Sequence, residues 1–185
     1  MKSTLLLFMV LVFSGGIQAQ KNIVLNGGFD NNTDFWRGDA ATLSPYNKKS
    51  GANSGMIVQY VGAEWKGIDQ IINLPKNTAA IEFSVWIKAE AIEVQAEAYN
   101  TGLMNVELLT AGEQNIRYES VANVTGTTEW VLYKKVVRLP EEAKKIRILL
   151  ALGKTNGTLF FDDVKAIAMT LEQYNKAMEA AAVKQ

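Results

Sequence analysis

From Asn22 to Ile167 the apolar residues recur at every second position, and that period selects strands over helices. Ile81, Phe83, Val85, Ile87 and Ala89 alternate with Glu82, Ser84, Trp86 and Lys88. Val94, Ala96 and Ala98 alternate with Glu93, Gln95, Glu97 and Tyr99, and Ile146, Ile148, Leu150 and Leu152 form another apolar row. Successive side chains of a strand point to opposite faces, so each segment predicts a strand with one buried face. Trp130 to Leu139 reads as one long β-branched and aromatic strand. Turn signals separate the rows: Gly27-Gly28, Asn53-Ser54-Gly55, Leu74-Pro75-Lys76-Asn77, Ala111-Gly112, Gly126, Leu139-Pro140 and Asn156-Gly157. About nine to eleven short strands at this spacing, with no βαβ rhythm, imply an all-β fold, an antiparallel β-sandwich.

What such a sandwich can do is narrowed by two missing residue types. The 185 residues contain no Cys and no His. That excludes thiolate and Ser-His-Asp nucleophiles, disulfides, and Cys-based zinc, haem or iron–sulfur ligation. The 19 basic and 19 acidic side chains cancel, so no basic field marks a nucleic-acid partner. Carboxylates, amides, hydroxyls and aromatic rings are left to carry the function.

The two ends depart from the strand pattern. Lys2, the apolar run Leu5 to Phe13 and the small residues Ser14, Gly15, Gly16 and Ala19 have the layout of a signal peptide, residues 1–19, too short to span a bilayer. No later segment reaches the length of a membrane helix. An exported, cysteine-free chain of this kind suits a bacterial periplasm, cell surface or secreted fraction. The sandwich is expected over residues 20–169, and residues 170–185 as a helix and tail. There Thr170 and Gln173 form a capping-box pattern, and Leu171, Tyr174, Met178 and Ala181 follow helical spacing. That helix either lies on the sandwich or docks a protein partner.

Several segments resemble a known family in order. Asn22-Ile-Val-Leu-Asn-Gly-Gly-Phe-Asp30 followed by Trp36, then Gly51-Ala-Asn-Ser-Gly-Met-Ile-Val58, Ile81 to Lys88, Thr128-Glu-Trp-Val131 and Leu159-Phe-Phe-Asp-Asp-Val164 are similar to carbohydrate-binding modules of the CenC type, families four, nine and twenty-two. The resemblance covers nearly all of the exported chain. It implies a galactose-binding-like jelly-roll with one concave sheet, and a structural calcium (Ca2+) held by Asp30 and by the Asp162-Asp163 pair. Calcium takes six to eight oxygens; the same acids can also serve only to cap turns. Trp36 and Trp130 match packed positions of that family.

Sugars offer apolar C–H faces and hydroxyl edges, which aromatic rings and amide or carboxylate groups recognise. Trp86 and Tyr99, with Gln95 and Glu97 beside them, form a candidate platform if their strands are neighbours. Trp65 is a candidate at a loop rim, and Arg117 and Tyr118 are contributors from a later strand. Trp86 fits a packed position equally well. The sequence thus reads as an exported, non-catalytic binder of a polysaccharide or glycan. The alternatives are an envelope scaffold or protein-interaction jelly-roll without sugar binding, and a small glycan-active hydrolase using carboxylates alone.

Overall fold

The structure, a computed structural model, describes residues 21–61 and 64–182; the expected signal peptide lies outside the described residues. The described chain forms nine strands and one helix. The strands are β1 (Ala41–Ser44), β2 (Ser54–Gln59), β3 (Trp65–Asn73), β4 (Ala80–Ile92) and β5 (Gly102–Leu109). They continue with β6 (Asn115–Val124), β7 (Gly126–Arg138), β8 (Lys145–Gly153) and β9 (Gly157–Met169), before α1 (Leu171–Ala182).

They assemble into two antiparallel sheets, one ordered β1-β2-β9-β4-β7 and the other β3-β8-β5-β6. The core between them is the apolar row read from each strand. Ile81, Phe83, Val85, Ile87 and Ala89 of β4 are fully buried, as are Ile146, Ile148, Leu150 and Leu152 of β8. Each larger side chain among them contributes about 1.5–3 kcal/mol relative to exposure. Phe161 of β9 stacks edge-on against Phe29 with ring centres 5.0 Å apart, and Phe29 meets Trp36 at 5.4 Å. Trp36 is therefore a core residue, and its Nε1 donates to the Asn26 carbonyl at 3.1 Å; Trp130 is half-buried.

One expected strand is absent. The Val94–Ala98 alternation lies in the loop between β4 and β5, with Val94 79% exposed. Methyl groups at positions 96 and 98 bury too little area to hold a strand face. Moreover β7 starts at Gly126, opposite Ile92, so β4 has no β7 partner beyond that point. The loop is held instead by Glu93 N donating to the Asn156 carbonyl at 3.0 Å and Thr155 Oγ1 donating to the Glu93 carbonyl at 2.8 Å.

At the other end the capping box forms: Thr170 N donates to Gln173 Oε1 at 2.9 Å, and Gln173 N to Thr170 Oγ1 at 3.3 Å. The helix buries none of its residues. No helix among the described residues is long and apolar enough to cross a membrane.

Gly55 shows how tightly the sheets close. It pairs with Phe161, and a β-carbon there would run into the Phe161 ring. Gly55→Ala is therefore expected to cost about 1–3 kcal/mol by urea denaturation. Gly112→Ala, where only Thr110 Oγ1 comes within 4.0 Å, should change stability by less than about 0.5 kcal/mol. Equal midpoints for the two variants would contradict this packing.

Candidate functional site

Alternation that buries one face of the four-stranded sheet must turn the intervening residues outward. On β3 these are Trp65, Asp69 and Ile71; on β8, Arg147 and Leu149; on β5, Asn105 and Glu107. On β6, Tyr118 stands opposite Glu107.

A row of charges crosses this face. Arg37 is joined to β3 by backbone hydrogen bonds with Asp69 of 2.7 and 3.0 Å. Its Nε and Nη2 both donate to Asp69 Oδ1 at 2.6 Å. Asp69 Oδ2 accepts from Arg147 Nε at 2.9 Å and Nη2 at 2.7 Å, and Arg147 Nη1 reaches Glu107 Oε1 at 3.1 Å. The order across the face is Arg37, Asp69, Arg147, Glu107, Tyr118. Burial pulls the Arg147 pKa down, but the bonds to Asp69 and Glu107 outweigh it and raise it, so the guanidinium stays charged. Charge-assisted, forked contacts fix these side chains in place, and a fixed hydrogen-bonding row loses little entropy when a ligand binds. Asn105, adjacent on β5, has a buried Oδ1 with no hydrogen-bond partner among the described residues.

Trp65 ends the row along β3. It pairs with Gly153 of β8, and a β-carbon on Gly153 would come within 2.9 Å of both the Trp65 ring and the Tyr99 carbonyl. The glycine thus makes room for the indole, which remains 46% exposed. An open groove of about 480 Å³ runs beside it, between Asp39–Ala40 and Glu64–Gly67.

The sequence candidates divide between different places. Trp65, Tyr99 and Tyr118 belong to the four-stranded side, Tyr99 on the loop that leads into β5. Gln95 and Glu97 lie on that same loop, where Gln95 Nε2 donates to Glu93 Oε2 at 3.4 Å and the Glu97 carbonyl accepts from Asn100 N at 2.8 Å. Trp86 lies on the opposite sheet, on β4 between Leu132 of β7 and Asp162 of β9, with Lys49 Nζ 4.0 Å from its ring centre. A shared Trp86–Tyr99 platform is thereby ruled out, because the second strand it required is a loop. Arg117, next to Tyr118, necessarily faces the other way: it donates to the Arg138 carbonyl at 3.0 Å and pairs with Glu119 at 2.8 Å, linking β6 to β7. The sequence reading missed Arg37, Asp69, Asn105, Glu107 and Arg147. The available signal was the polar position inside each apolar row, such as Arg147 between Ile146 and Ile148.

Asp30 and Asp162 approach one loop from opposite ends of the chain. Asp30 Oδ1 accepts from Ala52 N, and its carbonyl from Asn53 Nδ2 at 2.6 Å. Asp162 Oδ2 accepts from Lys49 N and Ser50 N, both at 2.9 Å, and its Oδ1 from Asp163 N at 2.7 Å. Asp162 is fully buried and makes no ion pair among the described residues. Burial pushes its carboxyl pKa up, the three backbone donors oppose this, and the Asp163 charge adds to the rise. Asp30 and Asp162, two of the acids expected to hold calcium, thus both bond the backbone of the 49–53 loop. Asp163 does not join them; it faces Lys165 at 3.7 Å. No three His, Cys, Asp or Glu side chains among the described residues stand together as a metal site, so the other ligands would have to be carbonyls or water.

The two sheets form a β-sandwich whose four-stranded face turns an indole and a fixed row of polar groups outward. The chain matches the family described as carbohydrate binding domain, covering module families four and nine, over residues 21–158, and it belongs to that family. No curated protein matches the sequence. Among solved structures it resembles the enzymatically active domain of a bacteriophage CBA120 tailspike protein, with TM-score 0.64 and 16% identity. That match covers 80% of this chain and 21% of the tailspike chain, so the protein spans about a fifth of it. It also resembles a family 16 carbohydrate-binding module, with TM-score 0.58, 19% identity, and 79% and 99% of the two chains covered. A third is the xylan-binding module of Paenibacillus barcinonensis Xyn10C, with TM-score 0.57, 14% identity, and 82% and 97% covered. At these identities the likeness establishes the fold.

Asp69 holds two arginines in this face. Asp69→Ala should therefore lower unfolding free energy by about 1–3 kcal/mol, through two guanidiniums left without their shared anion. Chemical denaturation measures it, and a change below about 0.5 kcal/mol would show that the row is not structural.

Proposed function

We propose that the protein is an exported, non-catalytic module that binds a polysaccharide or glycan on the outward face of its four-stranded sheet. The observation that carries this reading is the combination of exposed Trp65 with the Arg37–Asp69–Arg147–Glu107 row. The indole offers an apolar surface to sugar C–H groups, while the row offers donors and acceptors to hydroxyls. Tyr99 and Tyr118 flank it. The Paenibacillus barcinonensis module that the chain resembles binds xylan, which makes xylan the first glycan to try. Each hydroxyl must exchange water for protein, so modest affinity is expected.

A hydrolase reading has less support. Glycoside cleavage needs a proton-donating acid facing a second carboxylate across the scissile bond. Asp69 and Glu107 instead share Arg147 between them. A protein-docking role rests on α1 alone, with Leu171 and Met178 about half exposed.

The test is retention on xylan, mixed-linkage β-glucan and galactan by affinity electrophoresis. Trp65→Ala should weaken binding about tenfold, a loss of about 1.4 kcal/mol, and Trp86→Ala, on the other sheet, should leave it unchanged. Retention on none of a broad glycan panel would refute the proposal, and reducing ends released from the same polymers would restore the hydrolase.

Asp30 and Asp162 would hold a structural calcium ion, with Asp163 outside the set. When bound, the ion would neutralise their charge and pin the 49–53 loop to both ends of the chain. Millimolar calcium should then raise the melting temperature and EDTA lower it, since a ligand of the native state stabilises by mass action. Asp30→Asn should lose most of that response. A melting temperature indifferent to both additions would mean that backbone amides alone hold the loop.

A further inference from the structure

The five-stranded sheet ends in a long open edge. β7 has 13 residues and pairs with β4, and among the described residues no strand lies on its other side. The opposite edge strand, β1, has only 4 residues. In an antiparallel strand the N–H and C=O of one residue aim to the same side, and successive residues alternate. Just past β7, Leu139 N donates to the Ala79 carbonyl at 2.9 Å, towards β4, whereas the Arg138 carbonyl accepts from Arg117 Nη2 of β6 at 3.0 Å. Leu132, Lys134 and Val136 therefore aim their backbone groups away from β4, and Arg117 covers the Arg138 end alone.

β7 also carries apolar side chains beyond the cover of the second sheet. Val131 pairs with Ile87 and Tyr133 with Val85, so both point to the core side. Ile87 and Val85 are fully buried, yet Val131 is 41% exposed. On the outward face Leu132 is 38% exposed and Val136 36%. An edge with free backbone groups and apolar side chains on both faces is a template for another strand.

The charges select which strand fits. Lys135, on the core side, is held within the molecule by Glu119 at 2.8 Å and the Ser120 carbonyl at 3.0 Å. Lys134 lies on the outward face, 3.5 Å from Glu82, and Glu129 shares that face, 3.6 Å from Lys88. When β7 meets a second β7 antiparallel about Leu132, Val131 stands opposite Tyr133 of the second copy. Lys134 then faces Trp130 and its neighbour Glu129, which a register shift sets together opposite Lys88. Every contact occurs twice, because a two-fold axis makes the interface isologous. Centring the pair on Tyr133 instead would set Lys134 against Leu132, and centring it on Lys134 would set like charges together.

We infer that two copies of the protein associate through β7, joining their five-stranded sheets into one continuous sheet. This goes beyond the sugar-binding reading and does not rest on it, since β7 belongs to the sheet opposite Trp65. The two-fold axis crosses the joined sheet, so both four-stranded faces are presented on the same side. Two strands meeting edge to edge bury less than a standard interface, so a weak dimer with micromolar dissociation is expected.

Sedimentation velocity of the purified protein, from micromolar to millimolar concentration, tests this and should show a monomer–dimer equilibrium. Leu132→Pro removes an N–H that points out of the sheet, a position where proline is tolerated. It should weaken dimerisation about tenfold or more while circular dichroism still reports a folded β-sandwich. Lys134→Glu and Glu129→Lys, each alone, should weaken it about tenfold by setting like charges together twice. An equimolar mixture of those two variants should recover association, because the mixed pair has opposite charges at both places; a merely structural role of either residue gives no such recovery. If Leu132→Pro does not fold, the mixing experiment decides alone. A monomer at every concentration, a dimer indifferent to folded Leu132→Pro, or a mixture no tighter than either variant would each overturn the inference.

Discussion

The last strand of the chain holds the centre of the larger sheet, and the rest of the structure depends on that placement. β9 lies between β2 and β4, so residues near 57 and near 85 reach each other only through residues near 160. Its Phe161 ring fills the space left by Gly55 and meets Phe29. Asn22 also bridges to Ile167, and Asn22 Oδ1 accepts from Ala166 N at 3.0 Å, so the first described segment is bound to the same strand. Asp162 reaches from β9 to the 49–53 loop. Such a sandwich gains little until its most distant parts have met, the topology that folds slowly.

With that frame closed, the other sheet is free to present a surface. Its inward rows are mainly Ile, Val, Leu and Met, and its outward face carries the Arg37–Asp69–Arg147–Glu107 row together with Trp65 and Tyr118. The frame also aligns the N-terminal turn along β3, which brings Phe35 and Arg37 to the same edge as Asp69 and Ile71. Residues of the first turn and of four strands thereby form one face, although the turn and the strands lie far apart in sequence.

Much of the architecture is legible from alternation alone, because burying one face of a strand leaves a period-two trace in the residues. The rows in β4 and β8 are of this kind, and the capping box at Thr170 is equally local. Where alternation involves only small residues, as in Val94–Ala98, the pattern carries too little buried area to hold a strand, and the inference fails. The candidate face is less legible for a different reason. Asp69 lies 32 residues from Arg37 and 78 from Arg147, and strand register alone makes them neighbours. Trp65 could be noticed as a single exposed-type aromatic; the row beside it requires the pairing of β3 with β8 and β5. Trp86 is the opposite case, conspicuous in sequence yet on the other sheet beneath Lys49.

The arginine–carboxylate row has one more consequence. A guanidinium keeps its proton throughout the physiological range, and the chain has no histidine, the side chain that ordinarily gains charge between about pH 5 and 8. The face therefore contains no imidazole switch. Between about pH 5 and 8 its two guanidiniums hold a constant charge, and no imidazole beside them adds to it.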